Sequence, residues 1–177
     1  MIKVVGGKYR TRNLEIPPHL EVPSKSIVRT GMMNALSMDL PGSICLDLFA
    51  GSGALGIEAL SRDAKFCYFC DMDGSSVEVI KKNLATLKES NAKVIHSDFA
   101  GVLNNFSDKY DIVFLDPPYA MKDVYKDVPR FLIEKDRLTQ NGVVVLEYEG
   151  EVEAPKELFS RFREYHYGRT KVMILWR

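Results

Sequence analysis

Four consecutive residues, Asp116-Pro117-Pro118-Tyr119, follow the apolar run Ile112-Val113-Phe114-Leu115. A carboxylate and an aromatic ring separated by two prolines suit a flat base that carries an amine. Such an exocyclic amine is a weak nucleophile, because its lone pair is delocalised into the ring. Two acceptors drawing on its two hydrogens favour a pyramidal nitrogen whose lone pair points outward. Asp116 offers one acceptor and the Pro117 carbonyl a second, while the prolines stiffen the loop and remove competing N–H donors. Tyr119 can stack on the base and fix its approach to an electrophile, where most of a rate gain would arise. The tetrapeptide is also good turn chemistry. Its place at a strand end, downstream of a glycine loop, favours the catalytic reading.

That loop is Gly51-Ser52-Gly53-Ala54-Leu55-Gly56. It follows a predicted strand and opens a predicted helix, the context in which such a pattern has meaning. Glycine at 51 and 53 lets backbone amides approach a ligand with no side chain between. Asp71, ending the next strand, stands to accept hydrogen bonds from ribose hydroxyls, a spacing that suits a nicotinamide dinucleotide equally well. Asp47 shifts the balance. A carboxylate just before the turn is unfavourable beside a pyrophosphate and attractive beside the ammonium and sulfonium of S-adenosylmethionine. Phe49 is a further candidate contact. Asp98, in His96-Ser97-Asp98-Phe99, can accept from an adenine amine or cap the next helix, and Met72 and Phe99 can cover the ring.

The elements that must position these residues follow from periodicity. Strands are expected at 44–48, 66–71, 93–97, 112–116 and 143–147, and helices at 54–61, 75–88, 99–106 and 124–135. Uniformly apolar strands alternating with helices predict a doubly wound α/β sheet, parallel and covered on both faces. A closing antiparallel hairpin is expected from 162–167 and 171–176 around Gly168-Arg169. Upstream, 2–5 reads as a strand, Gly6-Gly7 as a turn and 8–16 as a return strand, which would put Lys8, Arg10 and Arg12 on one face. Ser24 is the expected N-cap of a helix running to about Leu40, with Ile27, Val28, Met32, Ala35 and Leu36 as its apolar stripe. Pro41-Gly42 ends it, so residues 1–41 are expected to form a small extension and 42–177 the main domain.

Bulk composition narrows the classes. A chain of 177 residues with 46% hydrophobic and 27% charged content suits one globular domain rather than a disordered segment. No apolar run reaches membrane-spanning length, and Met1 to Gly7 lacks the layout of a secretory signal, so the expected address is cytoplasmic. Three cysteines argue against a disulfide framework. Cys67 and Cys70, three apart in a strand, should point to opposite faces as small buried residues, and no metal is expected. Formal net charge is zero, yet residues 1–31 carry six cations against two acids, a net of +4. That asymmetry points the N-terminal end toward a polyanion.

These residues resemble the S-adenosylmethionine-dependent nucleic-acid amine methyltransferases. More closely, the chain is similar to the bacterial RsmD family, which methylates a guanine exocyclic amine in 16S ribosomal RNA. The blocks that carry the likeness are Val5-Gly6-Gly7-Lys8-Tyr9-Arg10-Thr11-Arg12, the stretch from Leu46 to Arg62, and Asp111 to Tyr119, with Lys82-Asn83-Leu84 in support. The first block discriminates; the other two occur in many methyltransferases. The resemblance implies a class I, Rossmann-like methyltransferase sheet, S-adenosylmethionine as donor, and 16S ribosomal RNA as substrate, naked or within a small-subunit assembly particle. It implies Asp116, Pro117 and Tyr119 as catalytic, and Lys8, Arg10, Arg12 and Arg29 as RNA-contacting; a monomer is the simplest expectation. One stretch departs from the family pattern: Val22-Pro23-Ser24-Lys25-Ser26-Ile27-Val28-Arg29-Thr30 lacks an arginine and two acids, while Pro23, Val28, Arg29, Asn34 and Leu36 keep register. Rival readings are a DNA adenine amine methyltransferase, which normally needs a larger target-recognition region, a nicotinamide-dependent oxidoreductase, and a non-catalytic RNA-binding module.

Overall fold

The computed structural model describes residues 1–20 and 25–177. In chain order the elements are β1 (Ile2–Lys3), β2 (Asn13–Leu14), α1 (Ser26–Ala35), β3 (Ile44–Asp47), α2 (Ala54–Ser61), β4 (Phe66–Asp71) and α3 (Gly74–Leu87). Then follow β5 (Ala92–His96), α4 (Phe99–Asn105), β6 (Tyr110–Leu115), α5 (Val124–Glu134), β7 (Leu138–Glu149), β8 (Arg161–Tyr167) and β9 (Thr170–Trp176). The main sheet has the order β5-β4-β3-β6-β7-β9-β8. Strands β3 to β7 pair in parallel, while β9 runs antiparallel between β7 and β8. From β3 the chain winds outward through β4 and β5, then returns to β6 on the other side. The crevice between the carboxyl ends of β3 and β6 is therefore the switch point where doubly wound sheets bind ligands.

Both faces are covered, which is why the central strands are apolar throughout. One layer sets α1, α2 and α3 against Cys45, Phe69, Ile112, Phe114, Val143 and Ile174. The other sets α4 and α5 against Leu46, Val113, Leu115, Val144 and Leu175. Cys67 belongs to the first layer and Cys70 to the second, as their spacing requires, and both are buried. Helix α2 is buried along its whole length. A Cβ on Gly56 would lie 2.3 Å from a Phe69 ring carbon and 2.7 Å from the Cys67 sulfur, so glycine there lets α2 press onto β4. No helix among the described residues is long and apolar enough to cross a membrane.

The N-terminal stretch differs from its expected hairpin. Strand β1 pairs with β2 over two positions, and a single 3-10 turn at Gly7–Tyr9 occupies the start of the expected return strand. Thr11 adopts a left-handed backbone, φ 70, as its N–H donates to the Val4 carbonyl. Lys8, Arg10 and Arg12 therefore do not share a strand face. Lys8 reaches Glu89 and Arg12 donates to the Thr86 carbonyl, both at the far end of α3. Helix α1 is shorter than expected, and Ile27 is 64% exposed rather than part of its apolar stripe. The expected Ser24 cap and the residues from Val22 to Ser24 lie outside the described residues; Lys25 stands at the cap position. Val4, Leu14, Val28, Met32, Leu36 and Leu40 share a core cluster with α2 and the sheet, so the described residues on both sides of 21–24 pack against the same core.

Candidate active site

A cleft of about 510 Å³ opens at the switch point. Ala50, Gly51 and Ser52 line it from the loop after β3, and Asp116, Pro117, Pro118 and Tyr119 from the loop after β6. The far wall is Tyr125 of α5 with Glu147, Tyr148 and Glu149 ending β7, and Leu20 and Lys25 border it from the N-terminal stretch. The two segments singled out by residue type, distant in sequence, thus face one space.

The glycine turn is shaped from below. Gly51 and Gly53 both hold positive φ, +54 and +78, a conformation side chains rarely adopt. A Cβ on Gly51 would also come within 3.0 Å of Leu20, narrowing the cleft. Asp71 accepts the Gly51 amide at 2.8 Å through one oxygen and the Asp73 amide at 2.9 Å through the other. Asn83 donates to the Ser52 carbonyl and to the Glu15 carbonyl, each at 3.0 Å, and accepts the Glu15 amide, clamping the N-terminal strap to the loop. Asn83 belongs to the block Lys82-Asn83-Leu84, for which no site role was expected. The mark of its role is a polar residue at a buried position of α3.

Asp47 does not line the cleft. It is 2% exposed beneath the turn, where it accepts the Gly56 amide at 3.1 Å. Burial raises its pKa to about 7, against the lowering effect of the Gly56 N–H and with a further push from the Asp71 charge. A bound cation would act on this carboxylate through the loop, not by contact. Asp98 caps α4 by accepting the Gly101 amide at 2.7 Å. Phe99 stacks at an angle against Phe49, ring centroids 5.5 Å apart. Met72, 71% exposed, stands at the end of β4. Of the expected cofactor residues only Gly51 lines the cleft; Asp71, Met72 and Phe99 stand beyond its lining, by the ends of β4 and β5, where a donor lying across the side-chain-free turn would meet a carboxylate for its hydroxyls and apolar side chains for a purine ring. The residues present fit that group.

At the opposite wall Asp116 is half-buried, Pro117 buried, and Tyr119 74% exposed with Lys122 Nζ 5.1 Å from its ring centroid. A ring so exposed is available for stacking. The Tyr125 hydroxyl donates to the Glu147 carbonyl at 2.7 Å. Burial, then the charges of Asp116 and Glu147, keep that hydroxyl protonated. Tyr125, Glu147 and Glu149 were not among the expected site residues. An acid ending the apolar run Val143 to Leu146, as Asp116 ends its own, was the available signal.

The expected RNA contacts divide. Arg29 is 2% exposed; it donates to the Lys3 carbonyl at 2.9 Å and sits 3.6 Å from the Glu58 carboxylate. It holds α1, α2 and β1 together and presents no guanidinium to a phosphate. Lys8, Arg10 and Arg12 are exposed. They sit at the amino-terminal end of the parallel strands: Thr86 and Glu89 lie at the end of α3 remote from Ser75, one turn beyond the Asn83 that holds the Ser52 carbonyl. From Ser75 to Thr86, at 1.5 Å per residue, the separation along α3 is roughly 17 Å.

Comparison with known proteins agrees with this architecture. The family model described as Conserved hypothetical protein 95 matches residues 2–176. The chain is 37% identical over 152 residues to Ribosomal RNA small subunit methyltransferase D of Escherichia coli (strain K12), spanning 85% of this chain and 76% of that protein. It is 33% identical to YlbH of Bacillus subtilis (strain 168) over 98% of this chain and 97% of the other. Among solved structures, Escherichia coli yhhF superposes with a TM-score of 0.86 at 32% identity, covering 99% and 97% of the two chains. The Thermus thermophilus protein TTHA0928 gives 0.85 at 24% identity, with 99% coverage of each, a likeness of fold.

Proposed function

The chain belongs to the Conserved hypothetical protein 95 family, the RsmD family of methyltransferases, and from that premise we propose that it methylates the exocyclic N2 amine of a guanine in 16S ribosomal RNA. The observation that carries the reading is the shared cleft: the Gly51 turn on one wall, Asp116, Pro117 and Tyr119 on the other. Relatives named as ribosomal RNA methyltransferases supply the substrate class.

S-adenosylmethionine brings an electrophilic methyl on a sulfonium and departs as the neutral thioether. The chain's own residues do the rest. The Asp116 carboxylate and the Pro117 carbonyl accept the two amine hydrogens, turning the nitrogen lone pair toward the methyl. Tyr119 stacks on the base and limits its motion, so that attack is in line. Once the N–C bond forms, the nitrogen is strongly acidic, and its proton passes to Asp116 or to water. The buried negative charge of Asp47 favours a cationic donor over the neutral product, which assists release. We assign the described residues of the N-terminal stretch to a strap that frames the cleft through Leu20 and Lys25 and carries a basic turn at its other end.

The test is incubation of the purified protein with radiolabelled S-adenosylmethionine and, in parallel, ribosomal RNA or small-subunit particles from cells lacking it, and duplex DNA. Label in N2-methylguanosine of 16S RNA is the expected result. Label in DNA adenine alone, or in no nucleic acid, overturns the reading.

A further inference from the structure

Strands β6 and β7 pair in parallel with Leu115 opposite Leu146. The following residues are Asp116, just past the end of β6, and Glu147, still within β7; where the alternation continues, both turn to the face away from those leucines. Neighbouring strands lie about 4.8 Å apart, and both residues line the cleft. Glu147 is 7% exposed, and its main-chain carbonyl is tied to Tyr125 by the 2.7 Å hydrogen bond already described. A second carboxylate thus stands next to the one that grips the amine, on a rigid strand rather than a loop.

The proposed transfer needs two acceptors for the amine hydrogens, and Asp116 and Pro117 supply them. A further acceptor beside them has meaning only if the base presents a third N–H along the same edge. Guanine does so: its N1–H adjoins the N2 amine. Adenine, beside its own amine, presents a bare N1 lone pair, which a carboxylate repels. We infer that Glu147 is the base-selecting residue, accepting guanine N1–H while Asp116 holds the N2 amine, and so admitting guanine and rejecting adenine from one position. A carboxylate has about four lone-pair sites, so contacts it makes within the protein leave capacity for the base. A largely buried charged acceptor also discriminates strongly, since the wrong base leaves it facing a like-signed lone pair in a site poor in water.

This inference rests on the methyl-transfer reading and is tested separately from it. With the methylated position mapped, small-subunit RNA is prepared with either guanine or 2-aminopurine there. The analogue keeps the N2 amine and has a bare N1. Wild type should lose about 100-fold or more in kcat/KM on the analogue, as sites built around a polar partner do when it is missing. Glu147→Gln can turn its amide to donate to the bare N1, so it should lose activity on guanine, gain it on 2-aminopurine, and bring the ratio below about tenfold. Its affinity for S-adenosylmethionine, measured by calorimetry, should not change. Equal wild-type turnover of both RNAs overturns the inference whether or not the variant folds. So does a Glu147→Gln enzyme that keeps the wild-type ratio. A wild-type protein inactive on guanine RNA would instead remove the methyl-transfer reading, and this inference with it.

Discussion

At the amino-terminal end of the parallel strands Glu89 accepts the Tyr9 hydroxyl at 2.7 Å and the Lys8 ammonium at 2.9 Å. At the carboxyl end Asp47 accepts the Gly56 amide at 3.1 Å and feels the charge of Asp71. Burial pushes both carboxyls upward. Around Glu89 the Tyr9 hydroxyl, the Asn91 amide and Lys8 overcome it and bring the pKa down to about 2, whereas Asp47 stays raised at about 7. The lower end spends its charges on one another and staples the N-terminal stretch to α3. The upper end sets Asp116 and Glu147 in the wall of a cleft and Asp47 and Asp71 behind its glycine turn, an arrangement that stabilises the protein little by itself and suits a cation and a base rich in N–H groups.

Removing a charge at the upper end should therefore cost function, and the largest effect should come from Asp116. Asp116→Ala is expected to lower kcat on RNA by at least about 10³-fold, the loss of a positioned acceptor in the reacting geometry. Its affinity for S-adenosylmethionine should stay close to wild type by calorimetry. A comparable loss in both would mean that Asp116 supports the cofactor pocket and not the amine.

Asp47 sharpens the contrast, because there function and stability pull apart. Its folded pKa of about 7 lies above the ordinary 3.8. The contribution to stability is thus fully present below the ordinary value and is lost as pH rises through the folded one. Asp47→Asn, which keeps the shape and removes the charge, should stabilise the free protein increasingly between pH 4 and 7. Above that the gain should level off on the order of 2–4 kcal/mol. The same variant should bind S-adenosylmethionine about tenfold more weakly, without the proton release that accompanies binding to wild type near neutrality. Calorimetry in buffers of different ionisation enthalpy, with thermal melts across pH, reads both. A variant less stable than wild type at pH 8 would place Asp47 with the lower-end staples.

Glu89 should behave in the opposite sense. Its folded pKa of about 2 lies below the usual 4.5, so its stabilisation is present above the usual value and lost as pH falls toward 2. Glu89→Gln should cost about 1–2 kcal/mol at pH 7, allowing for solvent screening at the rim of the contact. Near pH 2 it should cost almost nothing, and kcat at saturating RNA should not change. Urea unfolding across pH checks the first claim, and a pH-independent cost would remove the ionic explanation.

Much of this contrast was legible before any coordinates. Phe66–Asp71 and Ala54–Ser61 have the bounds their apolar patterns predict, because buried parallel strands and a wholly buried helix leave little for tertiary context to override. The strap was not legible. Lys8, Arg10 and Arg12 alternate as a strand would. Yet the backbone there is set by partners far away in sequence: the Tyr9 amide on the Ser61 hydroxyl, the Val5 amide on Glu58. Glu58 itself was a missed signal. An acid in the otherwise apolar helix Ala54–Ser61 must find a donor once buried, and Arg29 is beside it. Glu147 escaped notice for another reason: an acid beside Asp116 on the neighbouring strand becomes visible only when β6 and β7 are known to pair.

The smallest effect tests whether the basic turn belongs wholly to the lower end. Lys8 and Arg12 already hold the end of α3, one turn beyond the Asn83 that clamps the Ser52 carbonyl of the cleft loop. Lys8, Arg10 and Arg12 do not line the cleft, so a phosphate bound there would belong to RNA outside the target base's pocket. Arg10, exposed at the tip, separates the two roles. Arg10→Ala should leave thermal stability and kcat at saturating RNA unchanged, and reduce the slope of log binding constant against log salt by about 0.7–0.9, one phosphate's share of released counterions. An unchanged slope would make the turn purely structural. A fall in kcat would mean that RNA bound at this end is coupled to the base in the cleft, and that the two ends of the sheet do not act independently.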